Sequence, residues 1–122
     1  MKMEVKKKVL VVDDEENIRA LIEGELMDEG YEVLTASSGE EALIVFDSDA
    51  PDLITLDIKM PGMGGKAALS AIREKNPNVP VIMLTAYSEF KSDFDIWAAD
   101  AYVTKSSDLS GLKSKVKYLL QA

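Results

Sequence analysis

Four short apolar runs in this chain each end on a residue able to do chemistry, and that recurrence constrains the fold more than any other feature. Lys8 to Val12 runs into Asp13 and Asp14, Leu53 to Leu56 into Asp57, Val81 to Leu84 into Thr85, and Ala101 to Thr104 into Lys105. Runs of four or five such residues are too short for buried helices and fit strands covered on both faces. A fifth run, Tyr31 to Ala36, is interrupted by Glu32 and reads as an edge strand.

Between these runs the apolar residues fall at helical spacing. Ile18, Leu21, Ile22 and Leu26 mark a first helix from about Glu16 to Glu29, stopped at Gly30. Ser38 with Glu41 resembles a capping box opening a second, whose stripe is Ala42, Leu43 and Phe46, and Ala50-Pro51 ends it. Leu69 and Ile72 point a third inward until Asn76-Pro77. Leu109, Leu112, Val116, Leu119 and Leu120 share one face of a last helix over about 108–120. The stretch from Ala86 to Asp100 is the least legible, with Ser, Asp and Lys crowding between Phe90, Phe94 and Trp97. Alternating strands and helices predict a three-layer α/β domain, a parallel five-stranded sheet with helices on both faces. The 122 residues leave room for one domain, 1–122.

Composition narrows the chemistry. The chain has no Cys and no His, which excludes disulfides, thiolate metal sites, histidine metal cages and a Ser-His-Asp triad. A net charge of −8 opposes nucleic-acid phosphates and anionic membrane surfaces as partners. The charged first residues are followed by too short an apolar run for a signal peptide or a membrane span, so a cytoplasmic protein is expected.

Ligands of open parallel sheets bind beyond the carboxyl ends of the strands. If the first and third strands are neighbours, Asp13, Asp14 and Asp57 converge there. Three such carboxylates repel one another unless a cation shares the site, and Mg2+ suits an all-oxygen set. The Lys105 ammonium and the Thr85 hydroxyl could each hold an oxygen of a transferring phosphoryl group, with Asp57 as nucleophile.

Val-Leu-Val-Val-Asp13-Asp14-Glu, Leu-Ile-Thr-Leu-Asp57-Ile-Lys-Met-Pro-Gly, Leu84-Thr85-Ala86 and Tyr102-Val-Thr-Lys105 together resemble the receiver domains of two-component response regulators, across essentially the whole chain. The resemblance implies a doubly wound flavodoxin-like (βα)5 fold with strand order 2-1-3-4-5, here as a stand-alone domain. It implies that Asp57 accepts a phosphoryl group from a histidine of a sensor kinase or phosphotransfer protein. Asp14, Asp57 and the Lys59 backbone carbonyl would bind Mg2+ directly, and Asp13 largely through water. Lys105 would contact the phosphoryl group while Thr85 and Tyr102 act as the switch, remodelling a surface read by a downstream protein.

Three departures from the family pattern carry expectations. Ser106 replaces the usual proline after the lysine, and a cis bond without proline costs roughly 2.5–4 kcal/mol, so the Lys105–Ser106 peptide is expected to be trans. The span from Thr85 to Lys105 is about two residues short, which predicts a short or irregular fourth helix. Lys59 and Tyr87, flanking the phosphoryl position, are bulky and predict slow loss of phosphate. Among alternatives, a Mg2+-dependent aspartyl phosphatase would want an acid where Lys59 stands. A flavin binder would not line its first loop with Asp13-Asp14-Glu15-Glu16. A pseudo-receiver that binds partners without phosphate would have no need of the full acidic set.

Overall fold

The computed structural model describes residues 6–85, 99–105 and 108–121. Each expected strand forms: β1 Lys8–Val12, β2 Glu32–Ala36, β3 Leu53–Asp57, β4 Val81–Thr85 and β5 Ala101–Thr104. The helices are α1 Glu16–Asp28, α2 Gly39–Asp49, α3 Gly65–Lys75 and α4 Ser110–Gln121. All pairings are parallel, in the order β2-β1-β3-β4-β5, the flavodoxin-like topology. The expectations about a short or irregular helix between β4 and β5, about Tyr87 and about the Lys105–Ser106 peptide fall outside the described residues.

Side-chain alternation splits the sheet into two cores. Val9 and Val11, Leu53, Ile82 and Leu84, and Ala101 pack beneath α1 and α4, against Ile22, Leu26, Leu112 and Val116. Leu10 and Val12, Ile54 and Leu56, and Val81 and Met83 face α2 and α3, against Ala42, Ala68, Leu69 and Ile72. β3 and β4 are buried along their whole length, which explains why their sequences show no alternation. Each fully buried Leu or Ile contributes about 1.5–3 kcal/mol of apolar transfer energy. β2 lies at the edge, as Glu32 foretold.

Two local expectations need correction. Helical spacing places Leu21 in α1 as expected, but not in the core: it is 45% exposed, while Ile18, Ile22 and Leu26 pack on the face against the sheet. The capping box is displaced by one residue. Ser38 Oγ accepts from Glu41 N at 3.1 Å, but the Glu41 carboxylate reaches back to Ser37, accepting from its N at 2.6 Å and its Oγ at 2.9 Å. The helix still begins as expected, since both exposed amides find acceptors. Its end is set by Ala50, held at φ 47° in the left-handed region before Pro51. Gly30, at φ 98°, closes the turn after α1. No helix among the described residues is long and apolar enough to cross a membrane.

Candidate functional site

Strand register decides which side chains meet. Asp13 continues the alternation of Val9 and Val11, Asp57 that of Leu53 and Thr55, and Lys105 that of Ala101 and Val103, so all three belong to the α1/α4 side of the sheet. β1 and β3 are hydrogen-bonded neighbours, which sets Asp13 beside Asp57. β5 stands two strands from β3, a gap of about 9–10 Å, and only a long side chain crosses it. Lys105 does so: its Nζ lies 3.0 Å from Asp57 Oδ2, 3.3 Å from Asp13 Oδ2 and 3.4 Å from Glu15 Oε1. Its own amide donates to the Thr85 carbonyl at 2.8 Å, which ties the lysine to the end of β4.

One oxygen from each of Asp13, Asp14 and Asp57 lies within 4.8 Å of the others. Asp13 and Asp57 are buried and Asp14 is exposed, so the cluster opens to solvent on one side. Asp13 Oδ1 accepts the Glu15 amide at 2.9 Å, and Arg19 donates to the Asp13 carbonyl at 2.7 Å, so the loop after β1 is held from α1. Asp13 Oδ2, by contrast, is buried without a hydrogen-bond partner among the described residues and lies in ion contact with Lys105. An oxygen in that condition, with two more carboxylates within reach, is a donor set that fits a hard divalent cation.

The charge imbalance shows in the titration of the groups. Burial, helped by the charges of Asp13 and Asp14, pushes the Asp57 carboxyl up to about 6 despite its bond to Lys105. Burial alone would lower the Lys105 ammonium, but its bond to Asp57 and the charges of Asp57 and Asp13 push it up to about 12. The lysine is therefore a fixed cation, while Asp57 is a carboxylate whose ionised form lacks sufficient positive charge nearby.

The remaining expected residues are placed as follows. Thr85 ends β4 fully buried, one residue beyond Leu84, the register partner of Asp57. Tyr102 pairs with Met83 and packs, half-buried, on the α2/α3 side, where burial and the charge of Asp100 raise its hydroxyl pKa. Lys59 is exposed in the loop that leaves β3. That loop returns tightly, with Gly65 N donating to Ile58 O at 2.8 Å. A Cβ on Gly65 would collide with the Asp57 carbonyl, so α3 can start here only on glycine.

Sequence reasoning missed Glu15 and Arg19. The acidic run after β1 was legible only as a group, and the 15/19 spacing of one helical turn was the available sign that both residues fold back over the strand end. It also missed Glu40, whose contact with the β3–α3 loop spans 23 residues and leaves no local pattern.

A parallel doubly wound sheet with acids and one lysine gathered at its carboxyl edge defines a class that binds its ligand at the strand ends. Residues 9–117 match the model of the response regulator receiver domain, and the chain belongs to that family, the receivers of two-component systems. The probable transcriptional regulator ycf27 of Porphyra purpurea is 43% identical over 119 residues, covering 95% of this chain and 48% of that protein. The alkaline phosphatase synthesis transcriptional regulatory protein PhoP of Bacillus subtilis is 40% identical over 120 residues, covering 94% and 49%. The chain thus spans about half the length of the curated relatives it matches. Among solved structures, the response regulator TrrA of Thermotoga maritima in complex with Mg2+-BeF is 53% identical, with a TM-score of 0.89 over 93% of this chain and 98% of that one. TrrA in complex with the histidine kinase ThkA is 54% identical, with a TM-score of 0.87 over the same shares.

Proposed function

We propose that Asp57 accepts a phosphoryl group from a phosphohistidine of a sensor kinase or phosphotransfer protein, with Mg2+ bound, and that the phosphorylated form signals by changing which protein it binds. The observation that carries this is the buried Asp57 carboxylate, 3.0 Å from Lys105 Nζ and flanked by Asp13 and Asp14 within ligand-sharing distance. The related TrrA structures, one with Mg2+-BeF and one with a histidine kinase, support the same reading.

Asp13, Asp14, Asp57 and the Lys59 carbonyl would hold the ion. When bound, Mg2+ supplies the charge neutralisation that phosphoryl transfer depends on. An Asp57 carboxylate oxygen forms the new P–O bond as the P–N bond to the donor histidine breaks and its electron pair returns to the imidazole. Lys105, already a fixed cation beside Asp57, stays to balance charge on the phosphoryl oxygens. Thr85, on the strand next to Asp57, turns its hydroxyl to the phosphoryl group, and Tyr102 follows on the neighbouring strand, altering the surface that a partner reads.

The test is incubation with acetyl phosphate and Mg2+, read by intact mass. Wild type gains one phosphate, and Asp57→Asn or omission of Mg2+ removes the gain. A full gain in the Asn variant would overturn the assignment.

A further inference from the structure

The loop that leaves Asp57 is fastened from outside its own chain segment. It is closed at its base by the Gly65 N to Ile58 O bond, and near its tip Met63 N donates to Glu40 Oε2 at 3.2 Å. Glu40 lies in the first turn of α2, an element with no other part in the site. A carboxylate there needs no more reason than the helix dipole, but this one is aimed at a specific amide.

The surroundings show a built contact. A Cβ on Gly39 would lie 2.7 Å from the Met63 carbonyl, so the start of α2 and the loop touch backbone to backbone. Gly62, at φ 72°, takes the left-handed turn that presents the Met63 amide, and a Cβ there would stand 3.0 Å from Glu40 Oε2. Two glycines and one carboxylate therefore fix where the segment between Ile58 and Gly65 sits, and Lys59 belongs to that segment.

We propose that Glu40 is a positioning residue for cation binding: by holding Met63 it pre-sets the loop whose Lys59 carbonyl completes the ligand set. The inference rests on the Mg2+ reading above and adds to it a dependence on α2. The placement of the Lys59 carbonyl depends on the bonds that hold its loop, and the Glu40 bond fastens that loop near its tip, at Met63, in addition to the bond at its base.

The experiment compares the full chain with Glu40→Ala and Glu40→Gln in three measurements: Mg2+ affinity by calorimetric titration with MgCl2, exchange of the Met63 amide by NMR, and the thermal midpoint in EDTA. Both variants remove the same charge, but only glutamine keeps an acceptor for Met63. Glu40→Ala should raise the Mg2+ Kd by about threefold to tenfold, the loss expected for one hydrogen bond, and speed Met63 exchange. Glu40→Gln should restore both to within about twofold of wild type, with the EDTA midpoint little changed throughout. Equal Mg2+ affinity in wild type and Glu40→Ala, equal weakening in both variants, or Met63 exchange indifferent to Glu40 would each overturn the proposal. If wild type itself bound no Mg2+, the metal reading would fall and this inference with it. That outcome is distinguishable, because it appears before any variant is made.

Discussion

Asp57 should make the ion-free protein less stable as pH rises through about 6 toward neutrality, and the absence of His makes the effect measurable. With no imidazole in the chain, few other groups titrate between pH 5 and 7. The folded carboxyl sits at about 6 and the unfolded one near 3.8. Between those values the folded state binds more protons than the unfolded state, so lowering pH stabilises. Integrating the linkage with those two values from pH 7 to pH 5 gives a gain of about 1 kcal/mol. The assay is urea denaturation in EDTA at several pH values. Wild type should gain that amount, and Asp57→Asn, which cannot ionise, should be flat across the window and no less stable than wild type at pH 7. Saturating Mg2+ should erase the slope by stabilising the carboxylate. A wild-type slope of the opposite sign, or the same slope in the Asn variant, would refute the reasoning.

Other expectations follow from the same structure. Lys105→Ala removes the cation touching both Asp13 and Asp57, so the Asp57 titration midpoint, followed by carbon-detected NMR, should move above its wild-type value. Gly65→Ala forces a methyl into the Asp57 carbonyl and to 2.7 Å from Ile58 Cα, and should cost more than about 2 kcal/mol in denaturant unfolding. Leu112→Ala, in the core beneath α1 and α4, should cost about 2–5 kcal/mol while leaving the acetyl phosphate reaction of the folded protein intact.

The strands were legible because the two central ones are continuous apolar runs and each ends abruptly on a polar residue, so periodicity and boundary agreed. The gathering of the candidate site was legible for the same reason: Asp13, Asp57 and Lys105 stand at strand ends, and a parallel sheet gathers strand ends along one edge. What pattern could not supply is tertiary in origin. Leu21 satisfies helical spacing yet lies outside the filled face, since spacing gives a stripe but not its width. Glu41 is legible as a cap partner, but which serine amide it reaches depends on the turn into α2. The ties of Glu15 to Lys105 and of Glu40 to Met63 join residues 90 and 23 positions apart, and nothing local marks them.

The covalent fate of the Asp57 side chain is the most direct test of the proposed chemistry. After acetyl phosphate treatment with Mg2+, borohydride reduction converts an aspartyl phosphate to homoserine, which peptide mass spectrometry can map. Homoserine at position 57 alone is the predicted result. Homoserine at 13 or 14, or phosphate retained on a hydroxyl residue with Asp57 unmodified, would contradict it.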